Sequence, residues 1–373
     1  PTRRSSDLFP NSLDEVQMLQ SLGDSAFARY LLGCFWYSKR RYDEAVSCWR
    51  ETLEKSPDYA PAHRLLGVYS WNKQQDATQA LAYLQCAVAL EPENARFLFE
   101  LDFLQKLLAR SVHERLTTLV ERKAVVLKRD DLTAELLSLW NASGHYADAA
   151  AILDTRVFHP WEGGEGKITG QYLLNQLHRA LQFIERGAFK QATDCLKAAL
   201  RYPDNLGEGR LLGQTDNDIW YLLGYCAEQA GDAQQAAEYY QLARQGGSTL
   251  DAGRYYNDQP ADYLFWQGIA LRKSGNPAQA EQHFRHFIDW AAQHRDDVPQ
   301  VDFFAVSLPD LVVLDVSAQQ RHQQHCLFIE ALGHLGLGNV SACQQRMQQL
   351  LQINPAHDKA HLIRHALQSG IFS

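Results

Sequence analysis

Apolar residues along this 373-residue chain recur at the three- and four-residue spacing of helices, in successive pairs of segments. In the first pair, a segment rich in aromatic residues precedes the polar stretch KRRYDE, and a second apolar stripe follows it. The core positions of this pair are Leu32, Phe35 and Trp36 in the first segment and Ala45, Val46, Trp49 and Leu53 in the second. The pattern predicts an all-α chain built from helix pairs.

Small residues and prolines mark where these helices cross and end. A small residue, a second small residue and a proline stand at twelve-residue steps at Gly33, Ala45 and Pro57, and again at Ala331, Cys343 and Pro355. Partial sets stand at Gly224 and Ala236, at Gly268 and Ala280 and, with one extra residue, at Gly67, Ala80 and Pro92. The 34 residues from Gly33 to Gly67 equal the period of tetratricopeptide repeats. We therefore expect a right-handed solenoid of about eight helix pairs.

The repeats divide the chain into regions. Residues 1–8 resemble the translated end of a sequencing adapter, so we interpret them as a non-biological junction in front of a fragment of a longer protein. Residues 9–128 form N-terminal repeats, the third of them degenerate from about Asn94, and residues 129–373 form C-terminal repeats that close with a capping helix near Lys359 to Gln368. Four inserts interrupt the latter, at 158–170, 204–217, 246–260 and 295–317. We expect these inserts to be ordered, to cluster on one edge of the solenoid and to be functional.

The inserts carry strings that resemble a known family. FHPWEGGEGK-x-x-GQY, ALRYP-x-NLGEG and FFAVSLPDL, together with YLLGCFWYSKRRYDEAV and LKRDDLTAELL in the repeats, are similar to a family of bacterial proteins. Its members join an N-terminal, mutarotase-like β-sandwich domain of unknown function to C-terminal tetratricopeptide repeats. The resemblance implies that this chain is the repeat half, that the missing β-sandwich domain is its partner, and that the whole protein is associated with carbohydrate use. The resemblance assigns no catalytic residue to the repeat half.

Composition and charge exclude several classes of function. The net charge of −8 argues against nucleic acid, whose phosphates need a basic surface. No run of about eighteen apolar residues predicts a membrane span. The seven cysteines are odd in number and lack a C-x-x-C pair, which indicates reduced thiols and a cytoplasmic location. We expect no cofactor.

Acidic and aromatic residues of the inserts are the first candidate site. Carboxylates beside a tryptophan are typical of sugar sites, and sugar hydrolysis needs two carboxyl groups at a defined separation. The alternative is that the acids cap helix N-termini and loop amides. The candidate contacts for a ligand or a docked domain are His159, Trp161, Glu162, Glu165, Glu208, Phe303 and Asp310.

Several histidines stand at helical spacing. This spacing occurs in metal sites, but it favours solvated helix faces here. His357, His361 and His365 stand at i, i+4 and i+8, and two further pairs stand three residues apart, His283 with His286 and His322 with His325. A metal site also needs oriented partners, commonly cysteine or carboxylate. We therefore predict solvated histidines and no metal.

The inner groove of the solenoid is the second candidate site, because the first helix of each pair lines the concave face of such repeats. Tyrosine, tryptophan and arginine carry much of the binding energy of interfaces. The alternative is that several of these aromatic residues pack between helices. Aligning the repeats on their small residues places the following residues in or beside the groove: Tyr30, Tyr37, Arg64, Trp71, Tyr221, Tyr225, Phe265 and Arg272.

Three functions are compatible with these patterns. The leading hypothesis is a non-catalytic interaction module that docks the missing β-sandwich domain, or another protein, through the inserts. The second is that the inserts contribute acids to a carbohydrate-active enzyme, with no catalysis by this chain alone. The third is a stand-alone scaffold that binds a peptide in the aromatic groove.

Overall fold

The computed structural model describes residues 9–250, 260–299 and 313–372, and these residues form helices and connecting segments without a β-strand. They fall into two compact units. Among the described residues, the first unit comprises 9–108, 124–129 and 313–315, and the second comprises 109–123, 130–250, 260–299 and 316–372. The predicted all-α repeat fold is confirmed.

The first unit begins with six helices. Their bounds are α1 (Leu13–Ser21), α2 (Ala26–Ser38), α3 (Tyr42–Lys55), α4 (Ala60–Tyr69), α5 (Ala77–Leu90) and α6 (Ala95–Leu107). A π-helical turn, Ser70–Gln74, follows α4. Helix α2 packs on α3 and α4 packs on α5, which gives the first two predicted pairs.

The degenerate stretch after α6 forms two short helices, α7 (Val112–Glu121) in the second unit and α8 (Lys123–Val126), which ends in the first unit. The second unit then continues with regular pairs. Their bounds are α9 (Asp130–Ala142), α10 (Tyr146–Leu153), α11 (Lys167–Glu185), α12 (Phe189–Ala199), α13 (Asn217–Gln229), α14 (Ala233–Leu242), α15 (Ala261–Lys273), α16 (Pro277–His294), α17 (Ala318–Gly336), α18 (Val340–Ile353) and a last helix, α19 (Asp358–Gln368). Each first helix from α9 to α17 packs on the helix that follows it.

Marker glycines stand where the helices of a pair cross closely. A Cβ atom on Gly33 would lie 2.4 Å from the indole nitrogen of Trp49, and one on Gly268 would lie 2.5 Å from Cζ of Phe284. Gly224 faces Tyr240 at 2.7 Å in the same way. The small residues are therefore required by the large aromatic side chain of the partner helix, because a methyl group would force the pair apart.

The cores are apolar, and five of the seven cysteines are buried. All seven cysteines are free thiols, and burial raises the pKa of Cys48, Cys226 and Cys326 to about 11. In the second unit a continuous set of buried apolar residues runs from α11 to α19 and reaches Ile371. None of the helices formed by the described residues combines the length and the apolar content needed to cross a bilayer.

Candidate functional site

Two of the four inserts, 158–170 and 204–217, meet in the second unit, and we call them together the insert platform. The amide of Phe158 donates to the carbonyl oxygen of Asn205 at 2.7 Å. The Asn205 carboxamide in turn donates to the carbonyls of Leu153 and Arg156 at 2.8 and 2.7 Å. Gly207, with φ of 79°, approaches so closely that a Cβ atom would lie 2.6 Å from the Phe158 oxygen. The backbone of one insert therefore fixes the other.

Two acids of the insert platform accept hydrogen bonds from backbone amides, Glu208 at the start of α11 and Glu165 in the loop before it. Glu208 Oε2 accepts hydrogen bonds from the Gly166 amide at 2.9 Å and the Thr169 hydroxyl at 3.3 Å. Glu165 Oε1 accepts from the Gly163 amide at 3.2 Å. A carboxylate is favoured there because a helix N-terminus carries partial positive charge. This is the capping arrangement that the sequence left open for these acids, while Glu162 is exposed.

The aromatic residues of the insert platform, Trp161 and His159, have surroundings that differ from those of its acids. The half-buried Trp161 covers Gly164, where a Cβ atom would lie 2.0 Å from the indole ring. The His159 ring is 81% exposed and lies 3.5 Å from a carboxylate oxygen of Asp130, which also accepts a hydrogen bond from the His159 amide at 3.0 Å. The remaining predicted contacts, Phe303 and Asp310, lie outside the described residues.

An anchored loop of the platform presents two leucines to solvent. Arg210 donates to the carbonyl of Leu200 at 2.8 Å and forms an ion pair with the buried carboxylate of Asp216. Immediately after this anchor, Leu211 is 65% exposed and Leu212 is fully exposed. Adjacent exposed leucines on an anchored loop favour contact with another apolar surface. Sequence analysis missed both residues.

Of the groove residues predicted in the first unit, Arg64 is committed to an ion pair. Its guanidinium donates to both carboxylate oxygens of the buried Glu100, at 2.6 and 2.7 Å. Tyr30 is half-buried, with its ring 5.1 Å from that of Tyr59, and Tyr37 is also half-buried. The desolvation of these two phenols raises the pKa of both Tyr30 and Tyr37.

The fourth predicted residue of this unit, Trp71, contacts a segment from the end of insert 295–317. Its indole donates to the carbonyl of Asp315 at 2.9 Å. The neighbouring Asn72 donates to the carbonyl of Val313 at 2.9 Å and accepts from the Asp315 amide at 2.8 Å. Leu314 between them is fully buried. One carboxamide thus binds the backbone on both sides of Leu314. The sequence offered no signal for this role of Asn72 beyond its place beside Trp71.

In the second unit, Tyr221 and Phe265 were predicted to lie in or beside the groove, and the structure buries both of them. They are only 2% and 0% exposed, because the segment after α19 covers them. The ring of Phe372 lies 5.5 Å from that of Phe265, and the Tyr221 hydroxyl donates to the carbonyl of Ile371 at 3.5 Å.

The other two predicted groove residues of this unit remain nearer its surface. Tyr225 is half-buried. Arg272 donates to the carbonyl of Gly336, and its guanidinium lies over the ring of Phe284 at 5.5 Å. Like Arg64, Arg272 is therefore bound by other residues of its own unit.

Helix α19, expected to cap the array near its end, packs against helices at the start of the second unit. It contacts α9 and α11 more extensively than α18, which precedes it. One oxygen of Asp358 accepts from the Ser138 hydroxyl of α9 at 2.8 Å, and the other accepts from the Gln171 carboxamide of α11 at 2.7 Å. We call the surface formed by α9, α11, α13 and α15 the first-helix surface of the second unit.

A buried pair of acids on this surface meets a cation of α19. The ammonium group of Lys359 lies 2.7 Å from Asp262 Oδ2 and 3.9 Å from Asp218 Oδ2. Burial raises the pKa of Asp218 to about 6. Each acid stands six residues before a marker glycine, Asp218 before Gly224 and Asp262 before Gly268. An alignment of the repeats therefore contains the signal that identifies these acids, which the sequence analysis missed.

Two histidines of α19 are buried, which corrects the prediction of a solvated face. His361 is 8% and His365 is 9% exposed. Nδ1 of His365 lies 2.8 Å from Nδ1 of the buried His178, and Nε2 of His365 lies 3.3 Å from a Glu185 oxygen. This geometry fits two neutral rings, with His178 donating to His365 and His365 donating to Glu185. His322, also predicted to be solvated, is 5% exposed.

A polar cavity of about 220 Å³ adjoins these rings. The Tyr146 ring stacks on the rings of His178 and His365, with ring centroids 4.7 and 5.7 Å apart. Glu185 and Arg364 also line the cavity. Within residues 9–250, 260–299 and 313–372, no three histidine, cysteine, aspartate or glutamate side chains are grouped closely enough to hold a metal ion.

One family model and several solved structures are similar to this chain. A family model described as tetratricopeptide repeat matches residues 36–95 and 177–253. A solved structure of Naa15/Naa10 bound to HypK-THB is similar at 13% identity and a TM-score of 0.40, over 96% of this chain and 58% of that one. PilW, a widely conserved type IV pilus biogenesis factor, is similar at 14% identity and a TM-score of 0.23, over 71% of this chain and 92% of its own. Pseudomonas aeruginosa pilF is similar at 15% identity and a TM-score of 0.24, over 71% and 91%. The two stretches matched by the family model lie one in each unit.

Proposed function

We propose that this chain is a non-catalytic interaction module that docks a mutarotase-like β-sandwich domain through the insert platform. Tetratricopeptide repeats indicate a protein-interaction scaffold, and the inserts set this scaffold apart from a plain array. The resemblance of the insert strings to a family that carries such a domain supports this choice of partner. The anchored pair Leu211 and Leu212 is the observation that supports docking at this place.

The physical basis is the apolar area that these leucines expose. Transferring a leucine side chain from water into an apolar contact contributes roughly 1.5 to 3 kcal/mol. Arg210 holds the loop through Leu200 and Asp216, so little conformational entropy remains to be lost when a partner binds. The backbone hydrogen bonds between the two inserts fix the rest of the surface in the same way.

Removing the two leucines is expected to weaken docking without unfolding the chain. The Leu211→Ser/Leu212→Ser double variant should bind the isolated β-sandwich domain about thirtyfold more weakly in titration calorimetry, which corresponds to roughly 2 kcal/mol. The Leu90→Ser/Val340→Ser variant, which removes two exposed apolar residues elsewhere, should bind as the wild type does. Equal affinity of both variants, or no binding by the wild type, would contradict the proposal.

The platform acids have a structural role in this proposal, and one substitution tests it. Glu208→Ala is expected to lower the free energy of unfolding by roughly 1 to 2 kcal/mol, because the α11 terminus loses its carboxylate acceptor. Urea unfolding followed by circular dichroism measures the change, and Glu54→Ala on the exposed face of α3 is the control. A Glu208→Ala variant as stable as the control would contradict the capping role and favour a sugar contact for this acid.

A further inference from the structure

The polar cavity beside the histidine rings is built by three parts of the second unit. Tyr146 comes from the start of α10, His178 and Glu185 from the C-terminal half of α11, and Arg364 and His365 from α19. The insert platform contacts the opposite end of α11, so the cavity is separate from it. Its volume of about 220 Å³ is below that of sites for drug-sized ligands, so it suits a smaller molecule.

The inner wall of the cavity consists of side chains that hold one another. The rings of His178 and His365 stack with centroids 5.2 Å apart, and the Tyr146 hydroxyl lies 3.3 Å from Nδ1 of His365. The carboxamides of Gln182 and Gln368 also line the cavity. A fixed wall of imidazole, phenol and amide groups favours a polar ligand, because an apolar one would leave these groups without hydrogen-bond partners.

Two opposite charges line this cavity without neutralising each other. The exposed Arg364 guanidinium donates to Nδ1 of His361 at 2.9 Å, and no carboxylate of the described residues pairs with it. The exposed Glu185 carboxylate lies 3.3 Å from Nε2 of His365, and within the described part of the chain no lysine or arginine pairs with it. One cationic and one anionic group are therefore both available to a ligand.

Both charges act on the same phenol, which shows that they lie near each other. Burial raises the pKa of Tyr146 to about 12, the Glu185 carboxylate raises it further, and the Arg364 guanidinium opposes this increase. Salt weakens interactions between exposed charges over about 10 Å, so both groups lie close to this hydroxyl. Such an arrangement suits a small molecule that carries opposite charges a few bonds apart.

We propose that this cavity binds a small zwitterion, namely a free amino acid with a polar side chain. Arg364 binds the carboxylate, since a guanidinium offers paired donors that match two carboxylate oxygens. Glu185 accepts hydrogen bonds from the ammonium group. The carboxamides of Gln182 and Gln368 bind the polar side chain. A dicarboxylate without an ammonium group is disfavoured, because its second charge meets Glu185. This site does not depend on docking at the insert platform.

L-glutamine is the probe, because its carboxamide can pair with those of Gln182 and Gln368. Two analogues each remove one charge: N-acetyl-L-glutamine lacks the ammonium group, and L-glutaminamide lacks the carboxylate. In titration calorimetry of the full chain at pH 7, L-glutamine should bind at least about tenfold more tightly than either analogue. Absence of L-glutamine binding, or equal binding of all three molecules, would overturn the proposal.

Two variants assign each charge of the ligand to its residue. Arg364→Gln should remove the preference for L-glutamine over L-glutaminamide and keep the preference over N-acetyl-L-glutamine. Glu185→Gln should do the reverse, and its carboxamide oxygen can still accept from His365. Both side chains are exposed, so the variants should fold, which circular dichroism checks. Arg285→Gln, on the exposed face of α16, is the control and should keep both preferences.

The variants also separate charge from size. If N-acetyl-L-glutamine is rejected because it is too large, Glu185→Gln will still reject it, and this result would overturn the role of Glu185. If Arg364→Gln retains the full preference for L-glutamine over L-glutaminamide, the carboxylate lies elsewhere and the proposed site is wrong.

Discussion

Replacing Lys359 with methionine is expected to lower the free energy of unfolding by roughly 2 to 4 kcal/mol at pH 7. Methionine keeps the unbranched apolar chain and removes the ammonium group between Asp218 and Asp262. The two carboxylates are almost completely buried, so neither can recover its hydration without movement of α19. Urea unfolding of the wild type and the variant measures the difference.

A matched surface pair separates this effect from the loss of any lysine. Lys128 lies 2.6 Å from Glu93, but the side chains of this pair are 49% and 78% exposed. Lys128→Met should therefore lower the free energy of unfolding by less than about 1 kcal/mol. Adding Asp262→Asn to Lys359→Met should recover part of the lost stability, because it removes one uncompensated charge. A Lys359→Met variant as stable as Lys128→Met would show that the buried acids do not depend on α19.

Acidification from pH 7 to pH 5 is expected to destabilise the second unit through the histidines around α19. Burial lowers the pKa of His357 to about 4, and it also lowers the pKa of His178, His361 and His365. An unfolded chain takes up protons at these residues near pH 6.5, whereas the folded chain does so only at lower pH. Stability is therefore complete above about pH 6.5 and falls as the pH decreases towards 4, by up to roughly 3 kcal/mol for His357 alone.

One buried acid acts in the opposite direction. Because burial raises the pKa of Asp218 to about 6, the folded chain binds a proton there before the unfolded chain does, and this offsets part of the loss. Glu185 and Arg364 line the cavity beside His178 and His365. The charge of Lys359 also acts on His178, and that of Asp262 acts on His357. The four histidines together outweigh the single carboxyl group, so the net change remains a loss of stability.

The His357→Asn variant isolates the titration from the cap. Asparagine is a good N-cap residue and does not titrate, so α19 should retain its first hydrogen bond. Urea unfolding at pH 7 and pH 5 should show a smaller loss on acidification for this variant than for the wild type. An equal loss in both proteins would mean that burial of His357 does not couple proton uptake to unfolding.

Much of the fold was readable in the sequence because it depends on local spacing. Gly33, Gly224 and Gly268 predicted close helix crossings, and each faces a large aromatic residue of the next helix. The repeats could not reveal the return of α19, because Asp358 meets partners 187 and 220 residues away in the chain. That return buries Tyr221 and Phe265, which the same alignment placed in or beside the groove.

The inserts show the same limit on sequence analysis. The sequence is compatible with two roles for Glu208, a sugar contact or a helix cap, because both roles need a carboxylate that accepts hydrogen bonds. Its partner, the Gly166 amide, is 42 residues away, so only the folded backbone distinguishes the two. Leu211 and Leu212 were missed because apolar residues in a helical protein are normally assigned to a core.

Amide hydrogen exchange of the intact chain tests most directly whether α19 lies on the first-helix surface. With the chain alone at pH 7, amides of residues 362–367 should exchange at least about a thousandfold more slowly than in the free peptide, because opening must break the Lys359 ion pair and expose Leu362 and Ile363. Exchange at the rate of the free peptide, with α11 and α13 still protected, would contradict the occupied surface.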